Sequence, residues 1–402
     1  MLRLPHSRAA AWLLALAVVT LSSGRAHAYA WMIKSGFSKC GSCHTDPTGG
    51  ETLTGFGRIA SQYLLAMGGD GTEAPSPSSQ FLFGALHEPD EVRLGGSYRH
   101  MLLYTAGSPG VPGKFEQFPM QLDLYGSARI GPFVIGGSLG VADHIEGSAQ
   151  VRGAQINQEA GDGFILLTRN HFIGLWLQDD LLLRVGRLNL PFGIRIPEHV
   201  MWAREATRTD RESDQQHGVS VTYTGGPWRA DLMFVLGNFQ LNPDRFRERG
   251  LVGSAEYLAS PTLALGVTSL LTRSDEDALT RIKNAVRYAD GATLRWGATS
   301  KFALLAEIDF LKDGGRKIGM TGFAQADYEV IRGVHLMLTG EALDQGLLER
   351  ADVVPVRGSG APKYGAWFTL DWFFLPHLEL RLDGVARQDD VFHAEAQLHL
   401  YL

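Results

Sequence analysis

From about residue 91 onward, apolar and polar side chains alternate in segments of 9 to 15 residues, each closed by a turn or a polar loop. In Leu378-Glu379-Leu380-Arg381-Leu382-Asp383-Gly384-Val385-Ala386-Arg387, leucines and small residues hold one set of alternate positions and Glu379, Arg381, Asp383 and Arg387 the other. A period of two puts these sets on opposite faces of a sheet. Counting such segments predicts strands near 91–105, 119–130, 133–144, 163–177, 181–193, 215–224, 228–238 and 250–258. Eight more follow near 263–272, 286–298, 301–311, 318–331, 334–344, 362–374, 377–387 and 391–402, sixteen in all.

The connections alternate too. Tight turns fall at Gly131-Pro132, Gln178-Asp179-Asp180, Gly225-Gly226-Pro227, Ser260-Pro261, Thr299-Ser300, Arg332-Gly333 and Pro376, with mostly longer polar loops between them, 106–118, 145–162, 194–214, 239–249, 273–285 and 345–361. Short turns on one rim, long loops on the other and an even strand count are the pattern of an outer-membrane barrel with both ends periplasmic. The segments suit the roughly 9 to 11 residues with which a tilted strand crosses a bilayer. The core of a large soluble β-protein would share the alternation but not the asymmetry of the loops. The fold class is therefore mainly β, a 16-stranded antiparallel outer-membrane β-barrel over 91–402.

Tyr223, Trp228, Tyr257, Trp296, Tyr328 and Trp372 lie close to short turns on the apolar face, as an interfacial girdle requires. The last strand ends Leu398-His399-Leu400-Tyr401-Leu402, without the usual terminal phenylalanine. The opposite face carries Asp123, Arg129, Asp231, Arg295, Glu307, Asp309, Asp327, Glu341, Asp371, Glu379, Arg381 and Glu395. These are expected to form a solvated wall suited to ions or a polar plug, with no catalytic role.

Composition agrees with a folded chain: 45% hydrophobic and 20% charged residues with 48 glycines exclude disorder. Arg3 and Arg8, the apolar run from Ala9 to Leu21 and the small-residue site Ala26-His27-Ala28 read as a secretory signal over 1–28, cut after Ala28 or, less favourably, Ala30. The run is too short for the about 20 residues of a membrane-spanning helix. Removing Arg3, Arg8 and Arg25 takes the formal charge from -6 to -9. An acidic exported chain argues against nucleic acid as a partner.

The two cysteines of the chain both lie in Cys40-Gly41-Ser42-Cys43-His44, the C-x-x-C-H attachment signature of a c-type haem. Two thiols add to the two vinyl groups of the porphyrin, and the histidine that follows is carried beneath the iron as an axial ligand. A thioredoxin-like pair would want a βαβ context and a structural zinc site a second ligand pair. A plain disulfide remains open in an oxidising compartment. One covalently attached haem c is the expected cofactor.

After the motif come the turn Thr45 to Gly50, the segment Leu53-Thr54-Gly55-Phe56-Gly57-Arg58 and a short helical stretch expected to end at Gly68-Gly69. Ile59, Tyr63 and Met67, spaced by four, would share one helix face. That makes Met67 the first candidate for the sixth ligand, with Met32, His87, His335 and His393 behind it. The segment 29–69 is too small to build much core and is expected to lean on the barrel, inside the lumen or across its periplasmic mouth. The stretch 70–90, whose first half is rich in Gly, Pro and Ser, reads as the linker to the barrel.

With this exported C-x-x-C-H, the Gly57-Arg58 segment and sixteen predicted strands, the chain resembles the fused monohaem cytochrome–porins found in iron-oxidising and other bacteria over nearly its whole mature length. Gly186-Arg187-Leu188-Asn189-Leu190-Pro191-Phe192-Gly193 is similar to a stretch of such porins. The family's motif continues with a Lys-Leu-x-Gly-Tyr-like tail, where this chain has Ile-Ala-Ser-Gln-Tyr after Arg58. The resemblance implies electron transfer across the outer membrane, with Cys40 and Cys43 as anchors and His44 as ligand. It implies an extracellular donor, Fe(II) in the best-known members, a periplasmic cytochrome c-like carrier, and outer-membrane lipid around the barrel. An Fe(II):cytochrome c oxidoreductase would be the corresponding enzyme. From a different class, a solute porin whose haem segment is a plug or redox sensor also fits.

Overall fold

The computed structural model describes residues 29–402 except 70, 72, 143–153, 158–164, 211–213, 241–246, 278–280, 313–316, 347–361 and 389. The expected signal segment 1–28 lies outside the described residues. So do Asp70 and most of the loops 145–162 and 345–361.

The strands are β1 (Val92–Thr105), β2 (Lys114–Ile130), β3 (Phe133–Ala142), β4 (Ile165–Leu167), β5 (His171–Gln178), β6 (Leu181–Leu188), β7 (Gln216–Tyr223), β8 (Trp228–Gly237) and β9 (Arg249–Ser260). They continue as β10 (Leu263–Glu276), β11 (Lys283–Thr299), β12 (Phe302–Lys312), β13 (Gly319–Ile331), β14 (Val334–Asp344), β15 (Lys363–Leu375), β16 (Leu378–Arg387) and β17 (His393–Tyr401). Successive strands pair antiparallel, and β1 pairs with both β2 and β17, from Ser97 opposite Tyr401 to Thr105 opposite His393, so the sheet closes on itself. Closure leaves no open edge, the condition for crossing a bilayer as strands. Segments β4 and β5 both pair with β3 and form one crossing strand broken at 168–170, where the carbonyl of Thr168 accepts from Arg187 and Gln240 instead of the ladder. The barrel has sixteen crossings, and each coincides with a segment read from alternation.

Two boundaries differ for physical reasons. β2 starts at Lys114 rather than 119, because the hairpin continues from Thr105 opposite Lys114, and Pro119 is accommodated where the register shifts between Arg99 and His100. β6 stops at Leu188 rather than 193, since Leu188, Leu190 and Phe192 are buried and the chain leaves the wall for the interior.

Outward positions are apolar and exposed: Ile173, Val267 and Leu338 each show about 61–62% of their surface. This is the face a barrel presents to lipid. Of the expected girdle, Tyr223, Trp228, Tyr257, Trp296 and Tyr328 are exposed near the short turns, while Trp372 is half-buried with its ring 5.5 Å from Phe374.

The lumen is not a solvated wall, contrary to the expectation from polarity. Residues 29–69 enter it from the short-turn end. Arg332, in a short turn, donates to the carbonyls of Met67 (3.1 Å) and Gly69 (3.0 Å), and Lys39 to that of Thr224 in another (2.7 Å). The chain after β6 crosses the lumen to the far wall and carries a short helix, α2 (Trp202–Thr207), numbered after α1 (Gly55–Ala60) of the N-terminal segment. Glu307 of β12 accepts from Ile194 N (2.6 Å) and pairs with Arg204, and Glu341 of β14 accepts from Trp202 N (2.8 Å). Asp231, Glu307, Asp327, Glu341, Asp371 and Glu379 are thereby buried. Plug and inward loop cover them, and several supply their partners. Arg129, at the rim, is exposed.

Candidate functional site

The C-x-x-C-H segment is held by the residues that follow it. Cys40 opens a single 3-10 turn, and the amide of His44 returns to Cys40 O (3.0 Å). Thr54 N donates to Cys43 O (2.7 Å), Thr54 Oγ1 donates to Ser42 O (2.8 Å) and accepts from Gly57 N (3.0 Å), which caps α1. At Gly57 any Cβ would lie 2.3 Å from the carbonyl oxygen of Cys43, so only glycine lets the helix approach this closely. Arg58, almost fully buried, pairs with Glu88, donates to Leu94 O and lies 5.5 Å over the Phe81 ring. The stretch read as a linker is thus tied to the plug through Arg58 and through Ser76, which donates to Gln62 (2.7 Å).

Wall charges fix the segment in place. Asp46 pairs with Arg184 of β6 (2.7 Å). Burial alone would raise its carboxyl, but Arg184, Arg195 and two hydrogen bonds from Thr48 outweigh this and hold it below the usual range. Arg229 of β8 donates to Cys40 Sγ (3.3 Å) and Arg295 of β11 to Ser38 O (2.8 Å). Burial, with Cys40 alongside, pushes the Cys43 thiol well up.

Cys40, Cys43 and His44 line one open cavity of about 1610 Å³, a figure that includes solvent in its mouth. Its walls come from the plug, from β1, β16 and β17, and from the inward loop at Glu198, His199 and Val200. Cys40 and Cys43 are not joined in a disulfide. Gly49 packs against Cys40, where a Cβ would come within 3.0 Å of Cys40 Cβ. Two thiols outside any disulfide, an adjacent imidazole and a cradle of glycines fit a covalently attached haem. Among the described residues no group of three or more His, Cys, Asp or Glu is placed to hold a bare metal ion.

The structure brings Cys40, Cys43 and His44 together and places Met67 elsewhere. Helix α1 continues as a π-turn (Ser61–Leu65) and ends before Ala66, which is extended. The amides of Met67 and Gly68 pair with the carbonyls of Phe373 and Phe374 on the barrel rim. This pairing draws the chain off the helical path, so the four-residue spacing does not carry to Met67, and the expected stop at Gly68-Gly69 falls three residues earlier. Met67 is 38% exposed and lines no part of the cavity. Among the other candidates, Met32 is packed in the core, His87 is exposed and His335 is bound to Asp327 (2.8 Å). His199, His399 and Met101 line the cavity, though no spacing from the C-x-x-C-H motif points to them. The sequence signal for this loop is Ile194, Ile196, Met201 and Trp202, apolar residues within the expected polar loop 194–214.

No protein-family profile and no curated protein sequence matches this chain. Its fold is similar to solved outer-membrane porins. OmpT of Vibrio cholerae, in vitro folded trimer form, is 11% identical with a TM-score of 0.55, covering 77% of this chain and 99% of that one. The anion-selective porin of Comamonas acidovorans is 13% identical at a TM-score of 0.53, covering 77% and 98%. OmpF of Salmonella typhi, in complex with daunomycin, is 14% identical at 0.54, covering 77% and 97%. The fold is that of the porin-type barrels of the outer membrane. At these identities the likeness concerns the barrel alone.

Proposed function

We propose that this protein is a haem c-bearing barrel of the outer membrane whose own N-terminal segment closes the lumen, so that electrons rather than solutes cross. The observation that carries this reading is the placement of Cys40, Cys43 and His44 on one internal cavity, inside a lumen occupied by plug and loop. Cys40 and Cys43 would anchor the group covalently and His44 would ligate its iron; bound there, haem supplies reversible one-electron exchange. The chain's own residues do the rest. Thr54 and Gly57 hold the motif, Arg184, Arg229 and Arg295 hold the plug, and the barrel wall separates the site from lipid. An extracellular donor, Fe(II) by resemblance, and a periplasmic cytochrome c-like carrier would be the partners.

The second reading, a solute porin with a haem-bearing plug, is favoured by the fold. Likeness to porins speaks for a channel more directly than for electron transfer. Exported protein should give a c-type pyridine haemochromogen, and Cys40→Ser with Cys43→Ser should abolish it. Fe(II) should then reduce the oxidised wild type while planar-bilayer conductance stays small. Absence of the chromogen would sink both haem readings. A large open conductance, with no response to Fe(II) or other donors, would decide for the porin.

A further inference from the structure

We infer that residues 81–86, a strap at the short-turn end, form the docking surface for the electron carrier, a small soluble haem protein with basic side chains around an apolar face; the inference rests on the haem reading above. The strap is fastened to the plug. Phe81 is buried under the Arg58 guanidinium, Glu88 pairs with Arg58, and Ser76 donates to Gln62. Leu82, Phe83 and Leu86 do not follow Phe81 inward, and are 43%, 50% and 45% exposed. The backbone sets this projection. Leu82 and Phe83 are both left-handed (φ 48° and 56°), a region that bulky residues rarely adopt. The turn is held by Phe83 N on Gln80 O (3.0 Å) and Ala85 N on Leu82 O (3.1 Å). Backbone of this kind collects at ligand clamps and switch segments. Three apolar side chains make a small contact, as suits the short-lived encounters of electron transfer.

Ring contacts run from this patch to the cavity. The Phe83 ring is 5.4 Å from that of His377, in the turn between β15 and β16. The His377 ring is in turn 5.6 Å from that of Tyr401, which lines the cavity of Cys40, Cys43 and His44. A second aromatic run from the cavity, Tyr29 on Trp31 (5.0 Å) and Trp31 on His335 (4.2 Å), ends at a histidine that is 1% exposed. A carrier seated on Phe83 therefore stands two ring contacts from the cavity wall. Charge gives that carrier its sign. Asp90 and Glu91, close after Leu86 in the chain, are exposed and form no ion pair among the described residues. Arg93 beside them is turned back onto the carbonyls of Pro89 (2.9 Å) and Val92 (2.7 Å). Projecting carboxylates next to an apolar patch favour a partner with lysines around an apolar centre, and such rim charges act chiefly on the association rate. One electron passes per encounter, this chain's haem being oxidised and the carrier's haem reduced, with no bond made or broken.

The test uses the full exported holoprotein in lipid nanodiscs, with an oxidised, lysine-rich mitochondrial cytochrome c as probe and an acidic c-type cytochrome as control. Binding is read by surface plasmon resonance and probe reduction by stopped flow. Wild type should bind the basic probe in preference to the control, and association should slow about tenfold between roughly 20 and 200 mM salt. Phe83→Ser with Leu86→Ser should keep the haemochromogen and weaken probe binding about tenfold. Asp90→Lys with Glu91→Lys, at exposed positions that leave the strap's apolar side chains in place, should flatten the salt dependence and shift preference to the acidic control. A nitroxide on Leu86→Cys should lose mobility when the probe is added. A nitroxide relaxed by oxygen but not by a nickel chelate would put the strap in lipid and overturn the assignment. Probe binding unchanged in both double variants, or no preference for the basic probe in wild type, overturns the docking surface while the haemochromogen leaves the haem reading intact. A wild type with no haemochromogen overturns both.

Discussion

Lys34 is a buried cation by which the plug is fastened to the short-turn half of the wall. Its ammonium lies 2.8 Å from Asp327 and 3.3 Å from Glu329, with Lys34 and Asp327 side chains each about 1% exposed. His335 Nδ1 stands 3.4 Å away, and the Trp31 ring 4.8 Å. Lys34→Ala removes one partner and leaves two carboxylates facing each other in a site with little access to water. Breaking a buried pair in this way costs about 3–5 kcal/mol. With about 1.4 kcal/mol per decade, the plug's opening equilibrium should rise roughly 100- to 4,000-fold. The assay is amide hydrogen exchange of the refolded barrel, read on peptides covering 29–45, against barrel-strand peptides as the internal reference. Removing both members, Lys34→Met with Asp327→Leu, should recover most of the protection, since an apolar pair of similar volume has no charge to strand. Plug protection in Lys34→Ala within threefold of wild type would refute the reasoning and make this ion cluster irrelevant to docking.

The remaining predictions concern the plug and its support. Gly57→Ala puts a methyl 2.3 Å from a backbone carbonyl that cannot swing away. It should destabilise the plug by about 1–3 kcal/mol and lower the yield of covalent haem, while Gly55→Ala, which meets nothing within 4 Å, should not. Arg58→Leu leaves Glu88 without its buried partner and should loosen the segment 73–91 by about 3–5 kcal/mol, seen as faster limited proteolysis there. The Asp46 carboxyl is held below its ordinary value of about 3.9, so its contribution is fully present above that pH and is lost as the pH falls through the depressed folded value. Exchange of the 40–50 region in wild type should rise below about pH 4, and Asp46→Asn should exchange faster at neutral pH with no such acid step.

The barrel was legible because its signal is local. Each crossing repeats one alternation, and a slip of one residue would turn Asp327 or Glu379 toward lipid, so parity alone assigns every wall residue to a face. Strand ends were less legible. Thr105 opposite Lys114 depends on how far a hairpin climbs beyond the membrane, which no apolar pattern marks. The three residues of the C-x-x-C-H motif were read from chemistry that needs only neighbours in sequence, and they line one cavity. The inward loop's share of the cavity, at Glu198, His199 and Val200, was not legible, because it depends on a loop that folds into the lumen far along the chain from the C-x-x-C-H motif. Met67 was misplaced by helical spacing, because a rim strand captures its amide before the helix can reach it.

What the alternation cannot express is which wall groups meet the plug. Arg184, Arg229 and Arg295 stand on β6, β8 and β11 and meet Asp46, Cys40 Sγ and the carbonyl of Ser38. Asp327, Glu329 and Glu379 stand on β13 and β16 and meet Lys34 and the hydroxyl of Tyr29. Arg229 and Arg295 also pair within the wall, with Asp231 and Glu256, so their contacts to Cys40 and Ser38 position the plug without depending on it for charge balance. Asp327 and Glu329 instead share the plug's Lys34, which ties residues 29–69 to that side of the lumen.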